Sequence, residues 1–115
     1  MKNFKDLLIW QKAIDLVAFV YDVTKKFPEG EKYGLVSQMR RSDVSIPSNI
    51  SEGHMRNANK DFKRFVSIAR GSCAELETQT VIAYKLGYLD ENVYKLVLSR
   101  IEEVAKMLSS FYTSL

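Results

Sequence analysis

The chain has 115 residues, of which 46% are hydrophobic and 27% are charged, which is the composition of an ordinary globular domain. Its single cysteine excludes an intramolecular disulfide and a cysteine-based zinc cluster, and its one histidine cannot supply a histidine-rich metal site. No apolar run approaches the roughly 20 residues of a membrane span. We therefore expect one cytoplasmic domain, residues 1–115, with no metal, no cofactor and no contact with a membrane.

The first predicted helix carries more apolar residues than one face requires. Apolar side chains at three- and four-residue spacing predict a stripe that faces the core, formed by Trp10, Ala13, Ile14, Val17 and Tyr21. Leu16, Phe19 and Val23 lie about half a turn away from that stripe. They are either isolated exposed residues or a patch typical of partner surfaces. We expect the patch, as the interface of a homo-oligomer.

The second predicted helix runs from about residue 32 to residue 55 and contains a proline. Its apolar pattern begins at Tyr33, and one face continues across the proline through Met39, Ile46, Ile50 and Gly53. Because Pro47 removes the hydrogen bond to the carbonyl of Asp43, we expect a kink near Pro47. The alternative is a loop between Arg41 and Pro47.

The third and fourth predicted helices have the clearest apolar faces. The third begins after Asn59 and ends at Gly87, with its face formed by Phe62, Phe65, Val66, Ala69, Cys73, Leu76 and Ala83. Asp90 is expected to cap the fourth, whose face consists of Val93, Val97, Ile101, Val104, Leu108 and Phe111. Four helices with short connections predict an all-α fold, an antiparallel up-down-up-down four-helix bundle.

Polar side chains also recur at helical spacing on the second and third helices. The row on the second consists of Gln38, Arg41, Ser45, Asn49 and Glu52, and the row on the third consists of Ser72, Glu75 and Gln79. Polar groups beside a core stripe need hydrogen-bond partners, so we expect a buried or interfacial network that fixes helix register. The alternative is a catalytic cluster, in which Glu52 or Glu75 would serve an RNA-processing enzyme.

We expect no catalytic residues, however. Cys73 lies on the apolar face of the third helix and has one histidine in the whole chain as a potential partner, so we expect it to be inert core. His54 is expected at the surface or at a helix end.

The net charge of +3 is concentrated in one part of the chain. Residues 40–64 contain three acidic residues and six basic ones, which are Arg40, Arg41, Arg56, Lys60, Lys63 and Arg64. The last four surround the turn between the second and third helices. Several cations at a helix N-terminus suit the phosphates of RNA or DNA, so we expect these six residues to bind nucleic acid. The alternative is a solvated loop.

Sequence elements along nearly the whole chain, in order, match one known family. They are residues 10–13 (WQKA), 31–35 (EKYGL), 38–41 (QMRR) and 49–53 (NISEG), followed by Ser72, Glu75 and Gln79. On these elements, the chain resembles the four-helix-bundle proteins encoded by intervening sequences within bacterial 23S ribosomal RNA genes. The motif residues are Asn49, Glu52, Gly53, Ser72, Glu75 and Gln79, and all of them except Gly53 belong to the polar rows.

The resemblance implies a ring-shaped homopentamer and no established catalytic residues. It also implies contact with nucleic acid, because a relative that is the accessory protein of a retroelement reverse transcriptase binds nucleic acid. We therefore expect a non-enzymatic homo-oligomer that binds structured RNA or DNA. The alternative is a protein-interaction scaffold that recruits a nucleic-acid enzyme such as a reverse transcriptase.

Overall fold

Four long helices form the protein in the computed structural model, which describes residues 3–115. The helices are α1 (Leu8–Thr24), α2 (Leu35–Met55), α3 (Asn59–Lys85) and α4 (Glu91–Ser114). Short 3₁₀ turns, Phe4–Asp6 and Glu29–Glu31, precede α1 and α2, and this part of the chain contains no strand. Each helix packs on the next and α1 also packs on α4, so the predicted all-α, antiparallel four-helix bundle is confirmed. The bundle measures 43 × 24 × 20 Å.

The predicted stop and start signals between α3 and α4 are confirmed. Gly87 adopts a φ of 79°, and the following N–H, that of Tyr88, donates to the carbonyl of Ala83 at 2.9 Å. Only glycine takes this left-handed conformation at little cost, so α3 ends there. The Asp90 side chain then accepts a hydrogen bond from the N–H of Val93 at 2.8 Å and caps α4.

The start of α2 is held by a carboxylate from the preceding turn. Glu31 accepts one hydrogen bond from the N–H of Leu35 at 3.0 Å and a second from the hydroxyl of Tyr88 at 2.8 Å. These two donors lower the pKa of Glu31 below its usual value, the backbone N–H having the larger effect. Glu31 thus links the α1–α2 connection to the α3–α4 connection at one end of the bundle.

One core contains side chains from all four helices. The predicted face of α3 is buried throughout, and the predicted face of α4 is buried or packed against the core. On α2, the face that continues across the proline is also buried. Helical structure extends on both sides of Pro47, so the alternative of a loop between Arg41 and Pro47 is wrong.

The orientation of α1 differs from the prediction. Its buried residues are Ile9, Ala13, Leu16, Val20 and Thr24, whereas the expected core residues Ile14 and Tyr21 are exposed. Leu16 is 2% exposed and cannot contribute to a surface interface. Phe19 and Val23 are half-buried and pack against the core. Since α1 is apolar on both sides, apolar spacing alone could not decide which side faces inward.

Gly53 allows α2 and α3 to pack closely. A Cβ atom at this position would lie 2.7 Å from the Cβ of Phe65 and 2.9 Å from Cδ1 of Phe62. Both distances are shorter than a carbon–carbon contact permits, so a larger residue would force the helices apart. The glycine of the family motif therefore has a packing role.

Candidate nucleic-acid interface

The polar rows predicted on α2 and α3 face each other in part. The hydroxyls of Ser45 and Ser72 lie 2.8 Å apart, and Ser72 also donates to the carbonyl of Ile68 at 3.2 Å. The Asn49 amide donates to the carbonyl of Ser45 at 2.8 Å and to its hydroxyl at 2.9 Å. Of these bonds, only the one between Ser45 and Ser72 joins the two helices, and the others lie within α2 or within α3.

A polar cleft of about 360 Å³ lies between α2 and α3 beside this network. Its lining consists of Gln38, Arg41, Ser42, Ser45, Glu75 and Gln79. Glu75 is exposed in the cleft, and Oε1 of Gln79 is buried with no hydrogen-bond partner among residues 3–115. Glu52 lies outside the network, because it is exposed and forms an ion pair of 3.4 Å with Arg56. The two glutamates are therefore not brought together.

Four of the six predicted nucleic-acid-binding residues cluster around the α2–α3 turn. The guanidinium groups of Arg56 and Arg64 lie 5.0 and 4.5 Å from the ring centre of Phe65. The ammonium of Lys63 lies 4.7 Å from the ring centre of Tyr112 on α4, and the guanidinium of Arg70 lies 5.1 Å from the same ring.

Arg70 was missed by the sequence analysis. It follows Lys63 by two helical turns and so lies on the same face of α3. Together with the four predicted cations at the α2–α3 turn, Arg70 forms a set of five that we call the basic face. Its members are Arg56, Lys60, Lys63, Arg64 and Arg70.

The turn at the basic face leaves the start of α3 without a side-chain cap. Asn57 adopts a φ of 62°, which reverses the chain, and Ala58 occupies the N-cap position. Alanine has no polar side-chain atom with which to accept hydrogen bonds from the first N–H groups of α3. A helix N-terminus with free N–H groups attracts anions, and the neighbouring cations reinforce this attraction.

Arg40 and Arg41 do not belong to the basic face. Arg41 precedes Arg56 by 15 positions on one helix, which corresponds to about 22 Å. The Arg40 guanidinium packs against α1, where Nε donates to the hydroxyl of Thr24 at 3.0 Å and Nη2 donates to the carbonyl of Tyr21 at 3.3 Å. The six predicted residues thus divide between two regions of the surface.

A buried acid on α2 was also missed by the sequence analysis. Asp43 is 0% exposed, and neither carboxyl oxygen has a hydrogen-bond partner among residues 3–115. Burial raises its pKa from 3.8 to about 7. The signal that could have found it is spacing, because Asp43 shares one helical face with the buried residues Met39, Ile46 and Ile50.

Cys73 is buried, whereas His54 is half-buried with both ring nitrogens shielded from solvent. Cys73 lies in the core, as predicted. Burial, followed by the charges of Asp43 and Glu77, raises the pKa of its thiol to about 12, which disfavours the reactive thiolate. His54 lies in the last turn of α2, as predicted for a helix-end residue. Its ring nitrogens are buried without partners among residues 3–115, and the ring packs edge-on against Phe62 at 5.8 Å.

Residues 3–115 contain no group of three His, Cys, Asp or Glu side chains placed to hold a metal ion. None of the helices in this range is long and apolar enough to cross a lipid bilayer.

The fold and these side chains define a class of small all-α proteins. Its members have a polar seam between α2 and α3 and a cluster of cations at the turn that joins these two helices. Residues 5–110 match the family described as 23S rRNA-intervening sequence protein. The chain belongs to this family, which confirms the resemblance found in its sequence elements.

A solved structure shows the same fold. It is the crystal structure of a protein of unknown function from the S23 ribosomal protein family of Bacteroides thetaiotaomicron. The match has a TM-score of 0.82 at 21% identity and covers 91% of this chain and 98% of the other. No curated protein matches the chain.

Proposed function

We propose that this protein is a non-enzymatic homo-oligomer that binds structured RNA or DNA through its basic face. The observation that carries the proposal is the excess of cations at this face. Among the ion pairs within residues 3–115, only the pair between Arg56 and Glu52 involves a member of the basic face. The other four cations are free to neutralise phosphates.

The aromatic rings beneath the basic face support this proposal. Phe65 and Tyr112 each lie beside two of the cations, at ring distances of 4.5 to 5.1 Å. Cation–π contacts restrict long side chains that would otherwise lose more entropy when they bind a ligand. Phosphate contacts fix position without reporting base sequence, so we expect little sequence preference.

Salt-dependent binding tests the proposal. Five phosphate contacts predict that affinity for a labelled RNA hairpin falls roughly 500-fold between about 50 and 200 mM salt, measured by fluorescence anisotropy. The combined variant Lys60→Gln, Lys63→Gln and Arg64→Gln should weaken binding and flatten this dependence. Lys85→Gln, at the other end of α3, is the matched control. Absence of binding by the wild-type protein to both an RNA hairpin and a DNA duplex at the lower salt would overturn the proposal.

Self-association would repeat the basic face, and the resulting avidity strengthens weak contacts. Since Leu16 is buried, we place the self-association surface on α3 instead. Ile68, Ile82 and Leu86 are 43%, 44% and 54% exposed and flank the polar cleft, and exposed apolar groups of this kind mark partner surfaces. The resemblance implies a pentamer.

Light scattering tests the self-association surface. Ile82→Asp should lower the mass of the assembly, whereas Leu96→Asp, at an equally exposed position on α4, should not. An unchanged mass for Ile82→Asp would contradict self-association through this row. The same row would then favour the alternative function, a scaffold that recruits another protein.

A further inference from the structure

A groove of about 610 Å³ lies between α1 and α2 at the end of the bundle opposite the basic face. Three cations, Lys32, Arg40 and Arg41, line it together with the rings of Tyr21 and Tyr33. Its volume falls within the range of small-molecule sites. We propose that this groove binds an unstacked nucleotide of a single-stranded nucleic acid, with the phosphate on the cations and the base on Tyr33. This site is separate from the basic face and does not require it.

The charge of the groove selects an anion. No carboxylate is among the described residues that line it. Arg40 is held in place by its hydrogen bonds to Thr24 and Tyr21, which use two of its five N–H donors and leave three for a ligand. A guanidinium that is already fixed loses little entropy when it binds a phosphate. Arg41 is exposed at the border between the groove and the α2–α3 cleft, where it adds a second cation.

The aromatic rings select a planar partner. Tyr33 lies between the 3₁₀ turn Glu29–Glu31 and α2, and it is 88% exposed, so its ring contributes almost nothing to the core. The apolar pattern of the sequence places Tyr33 at the start of the second helix, whereas in the structure Tyr33 precedes α2 and is exposed. The Tyr21 ring is covered by the Arg40 guanidinium at 4.3 Å. The Lys32 ammonium lies farther from the Tyr33 ring, at 5.6 Å from its centre, so most of the surface of Tyr33 stays open to a ligand. Nucleobases stack on such rings in proteins that bind single strands.

The combination of cations and an exposed tyrosine ring in this groove favours a single strand over a duplex. In a duplex, the base faces are already stacked on their neighbours, so the backbone and the base edges are open to a protein side chain but the base faces are not. In a single strand, a base can turn out and stack on an exposed ring while its own phosphate remains within reach of nearby cations. Inorganic phosphate would use the cations alone.

Binding of a fluorescein-labelled short oligouridine, followed by anisotropy, tests the proposal. Tyr33→Ala should weaken binding roughly 5- to 150-fold, the effect expected for loss of one base–aromatic stack. Tyr33→Phe keeps the ring and should bind like the wild type. Arg41→Gln should weaken binding and reduce its salt dependence. Uridine monophosphate should displace the oligouridine at concentrations at which inorganic phosphate does not.

The controls separate this site from the basic face. Tyr33→Ala should leave binding of the DNA duplex unchanged, because a duplex has no unstacked base for the groove. The combined variant of Lys60, Lys63 and Arg64 should weaken duplex binding, and adding Tyr33→Ala to it should still weaken oligouridine binding. Wild-type affinity of Tyr33→Ala for oligouridine would overturn the proposal, as would an equal loss in Tyr33→Phe. Binding of the DNA duplex without binding of oligouridine would refute the groove alone, and binding of oligouridine without binding of the duplex would refute the basic face alone.

Discussion

The buried Asp43 makes the stability of the bundle depend on pH, and Asp43→Asn should remove that dependence. In the folded chain, burial without hydrogen-bond partners among residues 3–115 raises the pKa of this carboxyl from 3.8 to about 7. In the unfolded chain the ordinary value returns. Between the two values the folded state binds a proton that the unfolded state does not bind, so the free energy of unfolding falls as pH rises through this window.

The size of the effect follows from the width of the window. Each pH unit within it changes the free energy of unfolding by about 1.36 kcal/mol, so the full shift corresponds to about 4 kcal/mol. Between about pH 5 and about pH 8 the protein should lose about 3 kcal/mol of stability through this carboxyl alone. Small domains have roughly 5–15 kcal/mol in total, so the loss is large.

Urea unfolding followed by circular dichroism at these two pH values measures the difference. The asparagine amide is neutral at both pH values, so the cost of burying it does not depend on pH. Between the two pH values, the free energy of unfolding of Asp43→Asn should therefore fall by about 3 kcal/mol less than that of the wild type. Asp15→Asn, at an exposed position on α1, is the matched control and should keep the wild-type pH dependence. If Asp43→Asn also shows the wild-type pH dependence of stability, then water reaches the Asp43 carboxyl in the folded wild-type protein, and the reasoning from burial is wrong.

Two further predictions concern packing and hydrogen bonding. Gly53→Ala places a Cβ atom 2.7 Å from that of Phe65 and should cost roughly 1–3 kcal/mol in urea unfolding, whereas Gly71→Ala meets no atom within 4 Å and should stabilise α3. Equal effects of the two substitutions would contradict the close contact. Tyr88→Phe removes a donor from Glu31, so the pKa of that carboxyl should rise toward its usual value in an NMR titration. An unchanged titration would mean that the hydroxyl does not act on it.

The sequence predicted the helices well where one face is apolar and the ends carry specific residues. Gly87 and Asp90 have conformational and capping preferences that act locally, so the α3–α4 connection needed no tertiary information. The orientation of α1 could not be predicted, because exposed Ile14 and buried Leu16 are equally apolar. Which side faces inward depends on the surfaces that α2 and α4 present.

The candidate sites were predicted only where neighbours in space are also neighbours along a helix. The two polar rows were expected to supply each other's hydrogen-bond partners, but their spacing along each helix did not indicate that Ser45 and Ser72 are the pair that meets. Arg41 and Arg56 belong to one charged segment, yet the length of α2 separates them by about 22 Å. Tyr112 joins the basic face from the far end of the chain, and no local pattern in the sequence indicates that contact.

The contact at Gly53 also has a consequence for the order of folding. Gly53 and Phe62 lie on either side of a short turn, so their contact closes a small loop at little cost in chain entropy. Contacts between α1 and α4, such as the ion pair of 3.5 Å between Lys12 and Glu103, join distant parts of the chain and cost far more. We therefore predict that the α2–α3 hairpin forms before α1 and α4 dock against each other. A substitution at Gly53 should slow folding, whereas one between α1 and α4 should accelerate unfolding.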